Sequence, residues 1–233
     1  MAAASLTRLD PAPVLDVRGV VLLLHGGKPR GRDVVGDRSA SWRRMAALQR
    51  SISPRTHDAG VATWLLRYRE RGWNGTGTSA TEDARWALDE VRRELGDLPV
   101  VLLGHSMGAR TAVHVADDPA VVGVVGLAPW WDRSDPVSGL TGRHLRAAHG
   151  RTDKITSARM TQDYVRRARP VAESADFEDM GRVGHYMLRD VAAWNDAATG
   201  ASLDLLERQT ARRGPAPGPG LRSATDGGRP PRG

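Results

Sequence analysis

The sequence predicts an α/β fold, with a mostly parallel central sheet of about six strands and helices on both faces. Three observations predict it. Short apolar runs bounded by Gly or Pro alternate with amphipathic stretches, as strands buried on both faces alternate with crossover helices. The chain has 233 residues, enough to bury a full core without disulfides or metals. It has no Cys, which removes a disulfide framework, a thiolate zinc site and a cysteine nucleophile.

The elements follow in order. "MAAASLTRLDPAP" has no basic segment leading into an apolar one, so no signal peptide is evident, and residues 1–14 read as a lead-in. "GVVLLLHG" (19–26), "GVATWLLRY" (60–68), "LPVVLLGH" (98–105) and "VVGVVGLAP" (121–129) are the clearest strands. "HLRAAHG" (144–150) and "ADFEDM" (175–180) are weaker ones. Between them lie the helical patterns. "SASWRRMAALQRSI" offers Ser caps before a stripe of period 3.6. Residues 78–95, "TSATEDARWALDEVRREL", set Ala84, Ala87, Leu88, Val91 and Leu95 on one face. Acids in their first turn and Arg near their end suit the helix dipole. "SMGARTAVHVADD", "SARMTQDYVRRARP" and "HYMLRDVAAWNDAATGASLDLLERQ" complete the set. The domain spans 15–210. Residues 211–233 are rich in Pro, Gly and Arg and read as a disordered tail.

The net charge is +7 and the pI is near 10.8. That invites a nucleic-acid reading, but the tail holds five Arg against one Asp, +4 of the total. No nucleic-acid partner is expected. No apolar run reaches the roughly 18–20 residues that span a bilayer, so a soluble, cytoplasmic protein is expected. The sequence carries no signal for oligomeric state.

The chemistry centres on "GHSMG" at 104–108. With 26 Gly and 13 Ser in the chain, Gly-x-Ser-x-Gly arises by chance about once in six such sequences, so context decides. Here a buried strand precedes it and a helix with small apolar positions follows, the setting of a nucleophile on a sharp turn. Gly104 and Gly108 allow the close strand–helix crossing, and Ser106 is lifted above the carboxyl edge of the sheet. A hydroxyl needs a base, and the base needs an orienting partner. In this topology the order is Ser, then an acid after a later strand, then His. Asp153 in "HGRTD" and His185 in "GHYML" fall in that order, each just past a strand end. Acyl transfer also needs two N–H donors for the oxyanion. Met107 supplies one. The loop His25-Gly26-Gly27 supplies the other, with Gly27 preferred over Lys28.

Together "LLLHGG", "YRERGWNGTGTS", "GHSMG", "HGRTD" and "GHYML" resemble the α/β-hydrolase fold superfamily over residues 15–208. The resemblance implies a serine hydrolase, esterase-like, with nucleophile Ser106, acid Asp153 and base His185, and no metal or organic cofactor. The substrate it implies is a small molecule with an acyl bond. Thioesters, amides, acyl transfer and a catalytically silent binding module are the alternatives. Residues 130–143 are too few for a cap, and the N-terminal portion leaves no room for the hairpin strands that open the sheet in larger members.

Asp132 and Asp135 compete with Asp153, because they follow the preceding strand. His144 and His149 compete with His185 but precede the acid and suit packing or capping. His25 and His105 belong to motif loops and suit structural roles. Trp73 and Trp130 are candidates for a pocket wall, with partial burial as the ordinary alternative. Lys28, Arg30 and Arg32 read as a solvated basic loop.

Overall fold

The computed structural model describes residues 3–13 and 17–213. Seven strands form one sheet: β1 (Ser5–Leu9), β2 (Gly19–Leu24), β3 (Val61–Arg67), β4 (Val100–His105), β5 (Val121–Leu127), β6 (His144–His149) and β7 (Ser174–Asp179). Their spatial order is β1-β3-β2-β4-β5-β6-β7. The six expected strands are all present and all parallel to one another. The seventh, β1, lies inside the expected lead-in and pairs antiparallel with β3 at the edge, from Ser5 opposite Arg67 to Leu9 opposite Thr63. Its pattern is mostly exposed, which is why no apolar run marked it.

Among the described residues five helices cover the two faces: α1 (Ala40–Asp58), α2 (Thr78–Leu95), α3 (Met107–His114), α4 (Ala158–Ala168) and α5 (Val191–Arg213). Alternation along the central strands divides the core. Val20, Leu22 and Leu24 of β2 pack with Leu88 of α2, Ala112 of α3 and Tyr164 of α4 in one cluster. Val21 and Leu23 pack with Leu48 of α1 and Trp194 of α5 in the other. Between β5 and β6 there is only a short 3-10 turn, Ser138–Leu140, and no cap domain.

Some boundaries differ from expectation. The last helix starts at Val191 instead of His185, leaving a loop in which Met187 and Asp190 have φ of 54° and 52°. The first helix continues past Ile52 to Asp58, with Pro54 inside it. The acids expected in the first turn of α2 fall later. Asp83 is buried and accepts from the N–H and Nε of Arg69 at 2.8 and 2.6 Å. Residues 211–213 continue α5. The rest of the expected tail, 214–233, lies outside the described residues.

Candidate active site

The site is assembled at the carboxyl ends of β2, β4, β6 and β7. β4 ends at His105, and the chain turns at Ser106 into α3 with φ 54° and ψ −117°. L-residues rarely adopt that region, and it persists only when the surroundings fix it. Here the Ser106 N–H donates to the Leu127 carbonyl at 3.2 Å. Its own carbonyl accepts from Ala109, Arg110 and Trp130 at 3.1, 3.3 and 3.2 Å. The flanking glycines are needed for space. A Cβ on Gly104 would strike the backbone of Ala109, and one on Gly108 would strike the Leu24 carbonyl.

Ser106, His185 and Asp153 form one hydrogen-bonded chain. Ser106 Oγ is 3.0 Å from His185 Nε2, and His185 Nδ1 is 2.8 Å from Asp153 Oδ2. All three side chains are buried or nearly so. The Asp153 carboxylate also accepts from the N–H groups of Ile155 and Thr156 at 2.7 and 2.9 Å, and from Thr156 Oγ1 at 2.9 Å. His149 Nε2 lies 3.2 Å from the same Oδ2. Burial alone would push the acid's pKa up. The hydrogen bonds from His149, His185, Thr156 and Ile155 outweigh it and hold the carboxyl well below the usual carboxylate range. It is ionised at neutral pH. Gly150 gives the loop after β6 its close approach, since a Cβ there would meet the Val183 carbonyl.

His25 and His105 are buried and neutral. His25 Nδ1 donates to the Gly26 carbonyl at 2.7 Å, and its Nε2 accepts the Tyr68 N–H at 3.3 Å, which fixes the tautomer. Burial lowers its pKa to about 4. His105 Nε2 donates to the His185 carbonyl at 2.9 Å, steadying the loop that carries His185. Burial and the neighbouring His185 lower the pKa of His105 to about 3. His144 Nδ1 lies 2.9 Å from Ser174 Oγ.

The rival acids are engaged elsewhere. Asp135 is buried and binds Arg110 Nε at 2.8 Å and His114 Nε2 at 3.0 Å. Asp132 accepts from the N–H and Oγ of Ser134.

A cavity of about 320 Å³ opens onto Ser106 and His185 and is walled by Gly26, Gly27, Arg44, Tyr186 and Leu188 among others. The Lys28 N–H is taken by the Arg71 carbonyl at 2.9 Å, which removes it from the choice left open in the sequence. Among the described residues, neither the Gly27 nor the Met107 N–H is bonded to a protein acceptor. A side chain at Gly27 would collide with the Met107 thioether and the Arg71 carbonyl.

The tryptophans depart from expectation. Trp73 is 4 % exposed and belongs to the core, with the Arg110 guanidinium 4.7 Å from its ring centroid. It does not line the Ser106 cavity. Trp130 lines a separate hollow with Asp153, Lys154 and Arg159, and Arg110 stacks on it too. One cation is thus shared between the two rings. Lys28 and Arg30 are exposed, and Arg32 pairs loosely with Glu70 at 3.7 Å, as a solvated loop does.

Sequence reasoning missed Thr156, the contact of His149 with the acid, and the wall residues Arg44, Tyr186 and Leu188. A threonine three residues beyond the acid was the only available signal for the first. The others depend on long-range contacts. Among the described residues no cluster of three or more His, Asp or Glu is arranged to hold a metal ion. No helix among them is long and apolar enough to cross a membrane.

Comparison with known proteins agrees with this architecture. The protein phosphatase methylesterase 1 proteins of Bos taurus and Homo sapiens are each 35% identical over 111 residues, which is 46% of this chain and 26% of theirs. The match thus spans about a quarter of the length of those relatives. Among solved structures, an alpha-beta serine hydrolase homologue from Coxiella burnetii superposes with a TM-score of 0.63 at 15% identity, over 85% of this chain and 91% of that one. Est1E from Butyrivibrio proteoclasticus, solved with ferulic acid bound, gives 0.65 at 11% identity over 88% and 96%. An α/β serine hydrolase without lid from Xanthomonas campestris gives 0.62 at 17% identity over 92% and 91%. The model of the alpha/beta hydrolase family matches residues 21–229, and with most of its length inside that match the chain belongs to the α/β-hydrolase family.

Proposed function

We propose that the protein is a serine hydrolase that cleaves a carboxylic ester of a small substrate through an acyl-enzyme on Ser106. The observation that carries the proposal is the continuous chain from Ser106 Oγ through His185 to an ionised Asp153. His185, with its Nδ1–H directed to Asp153, accepts the Ser106 proton at Nε2 as Oγ attacks the carbonyl carbon. The N–H groups of Gly27 and Met107 receive the oxyanion. His185 returns the proton to the departing alkoxide, which leaves as the alcohol. Water then attacks the acyl-enzyme with His185 as base, releasing the acid and restoring Ser106. Asp153 holds the tautomer and balances the imidazolium.

The methylesterase relatives support an ester over a thioester or amide. The open mouth supports a substrate that needs no lid-gated entry. A cytoplasmic location belongs to the same proposal. Turnover of short-chain neutral esters tests it. We expect Ser106→Ala and His185→Gln to lose on the order of 10⁴-fold in kcat, with folding checked by circular dichroism. Equal turnover by the Ser106 variant would rule the proposal out.

A further inference from the structure

Arg44 stands near the start of α1, in the wall of the cavity that opens onto Ser106. Its Nε donates to the Tyr186 carbonyl at 3.2 Å and its Nη2 to the Met187 carbonyl at 2.8 Å. Two bonds to successive carbonyls fix the plane of the guanidinium. Nη1 has no protein partner, and no carboxylate lies within ion-pair distance, among the described residues. The group is half-buried, and burial is what lowers its pKa from the ordinary value.

Toward Ser106 the surroundings are one-sided, and Asp37, in a neighbouring hollow that Arg44 also lines, is paired with Arg67 at 2.7 Å. The cavity wall holds no Asp or Glu. A shallower hollow shares His185, Tyr186 and Leu188 with it, adds Arg182 and Arg189, and also holds no acid. A cation partly withdrawn from water without a counter-charge is costly, and an anion entering beside it offsets that cost. A planar guanidinium matches a carboxylate with two parallel hydrogen bonds. Because Arg44 is already held, little freedom is lost when the anion arrives.

We propose that the substrate carries a carboxylate on the arm that fills this cavity, and that Arg44 selects it. This rests on the serine hydrolase proposal above, and only the ester bond reacts. A purely structural Arg44, tying α1 to the His185 loop, would instead affect all esters alike.

Two matched pairs of esters separate these roles and tell the acyl arm from the alcohol arm. Monomethyl glutarate against methyl pentanoate places the charge on the acyl side. 4-Acetoxybutanoate against butyl acetate places it on the alcohol side. The ratio of kcat/KM within each pair is the readout, since a general structural loss divides out. In one pair we expect the wild type to favour the anion by about tenfold or more, chiefly through KM. Arg44→Gln brings that ratio close to one, and Arg44→Lys keeps part of it. Equal treatment of both pairs by the wild type, or an unchanged ratio in Arg44→Gln, overturns the inference and leaves the hydrolase intact. If Ser106 takes a fluorophosphonate but cleaves none of the esters, the rates of labelling by a neutral and a carboxylate-bearing fluorophosphonate give the same ratio. No labelling and no turnover removes both proposals.

Discussion

Asp153 receives more hydrogen bonds than its role toward His185 alone requires. Thr156 Oγ1 sits 2.9 Å from Asp153 Oδ2, 3.1 Å from His185 Nδ1 and 3.4 Å from His149 Nε2, so one hydroxyl bridges the acid and both histidines. His149 is fully buried, with its Nδ1 2.8 Å from Thr161 Oγ1, and cannot swing away. We expect Thr156→Val, nearly isosteric but without the hydroxyl, to lower kcat by about tenfold, the value of roughly one such bond. KM should change little and Thr156→Ser should restore the rate; steady-state kinetics would contradict this if Val and Ser behaved alike. Ser106, Asp153 and His185 could be picked out as candidates in the sequence because motif and chain order are local or nearly so. Thr156, His149 and Arg44 could not be, because their partners are set by how three loops meet.

The elements show where periodicity suffices and where it fails. The stripe on α2 is buried as its spacing implies, from Ala84 to Val91, with Leu95 partly covered. β1 was invisible because an edge strand of five residues with exposed positions has no apolar run. The late start of α5 has a tertiary cause: His185 must reach Ser106, and residues 185–190 form the loop that takes it there. α1 is tied to the sheet by a polar residue in an apolar layer. The buried Gln49 Nε2 donates to the Thr7 carbonyl of β1 at 2.9 Å and to the Thr63 carbonyl of β3 at 2.7 Å. Gln49→Met keeps the volume and strips a donor from two carbonyls. We expect a loss of about 1–3 kcal/mol in urea unfolding, with β1 exchanging its amide hydrogens faster. An unchanged midpoint would show that solvent replaces the donor without cost.

At the scale of the molecule, the parallel sheet brings four strand ends to one edge, and among the described residues no cap covers that edge. Fold class and strand order along the chain were legible because both faces of the sheet are covered and the strands read as apolar runs. The same burial makes stability depend on pH. His25 and His105 titrate near 4 and 3 in the folded protein, against about 6.5 unfolded. The unfolded chain therefore binds more protons below pH ~6.5, and stability falls as the pH falls through that value, levelling off near the folded values. Asp153 acts in the same direction at lower pH: its depressed pKa adds stability that is fully present above pH ~4 and is lost only below it. Between pH 7.5 and 5.5 the two histidines should thus remove roughly 2–3 kcal/mol in total. Urea midpoints across that range measure it, and a flat profile would mean that neither ring is held neutral.

The measurement that bears most directly on Ser106 as a nucleophile is intact-mass labelling with a broad fluorophosphonate. Wild type, Ser106→Ala and His185→Ala would be run side by side. We expect one adduct on the wild type, none on the Ser106 variant, and much slower labelling of the His185 variant. Folded wild type that takes no label, or a Ser106 variant that labels as fast, would make "GHSMG" a scaffold turn and leave the chain a hydrolase fold without this chemistry.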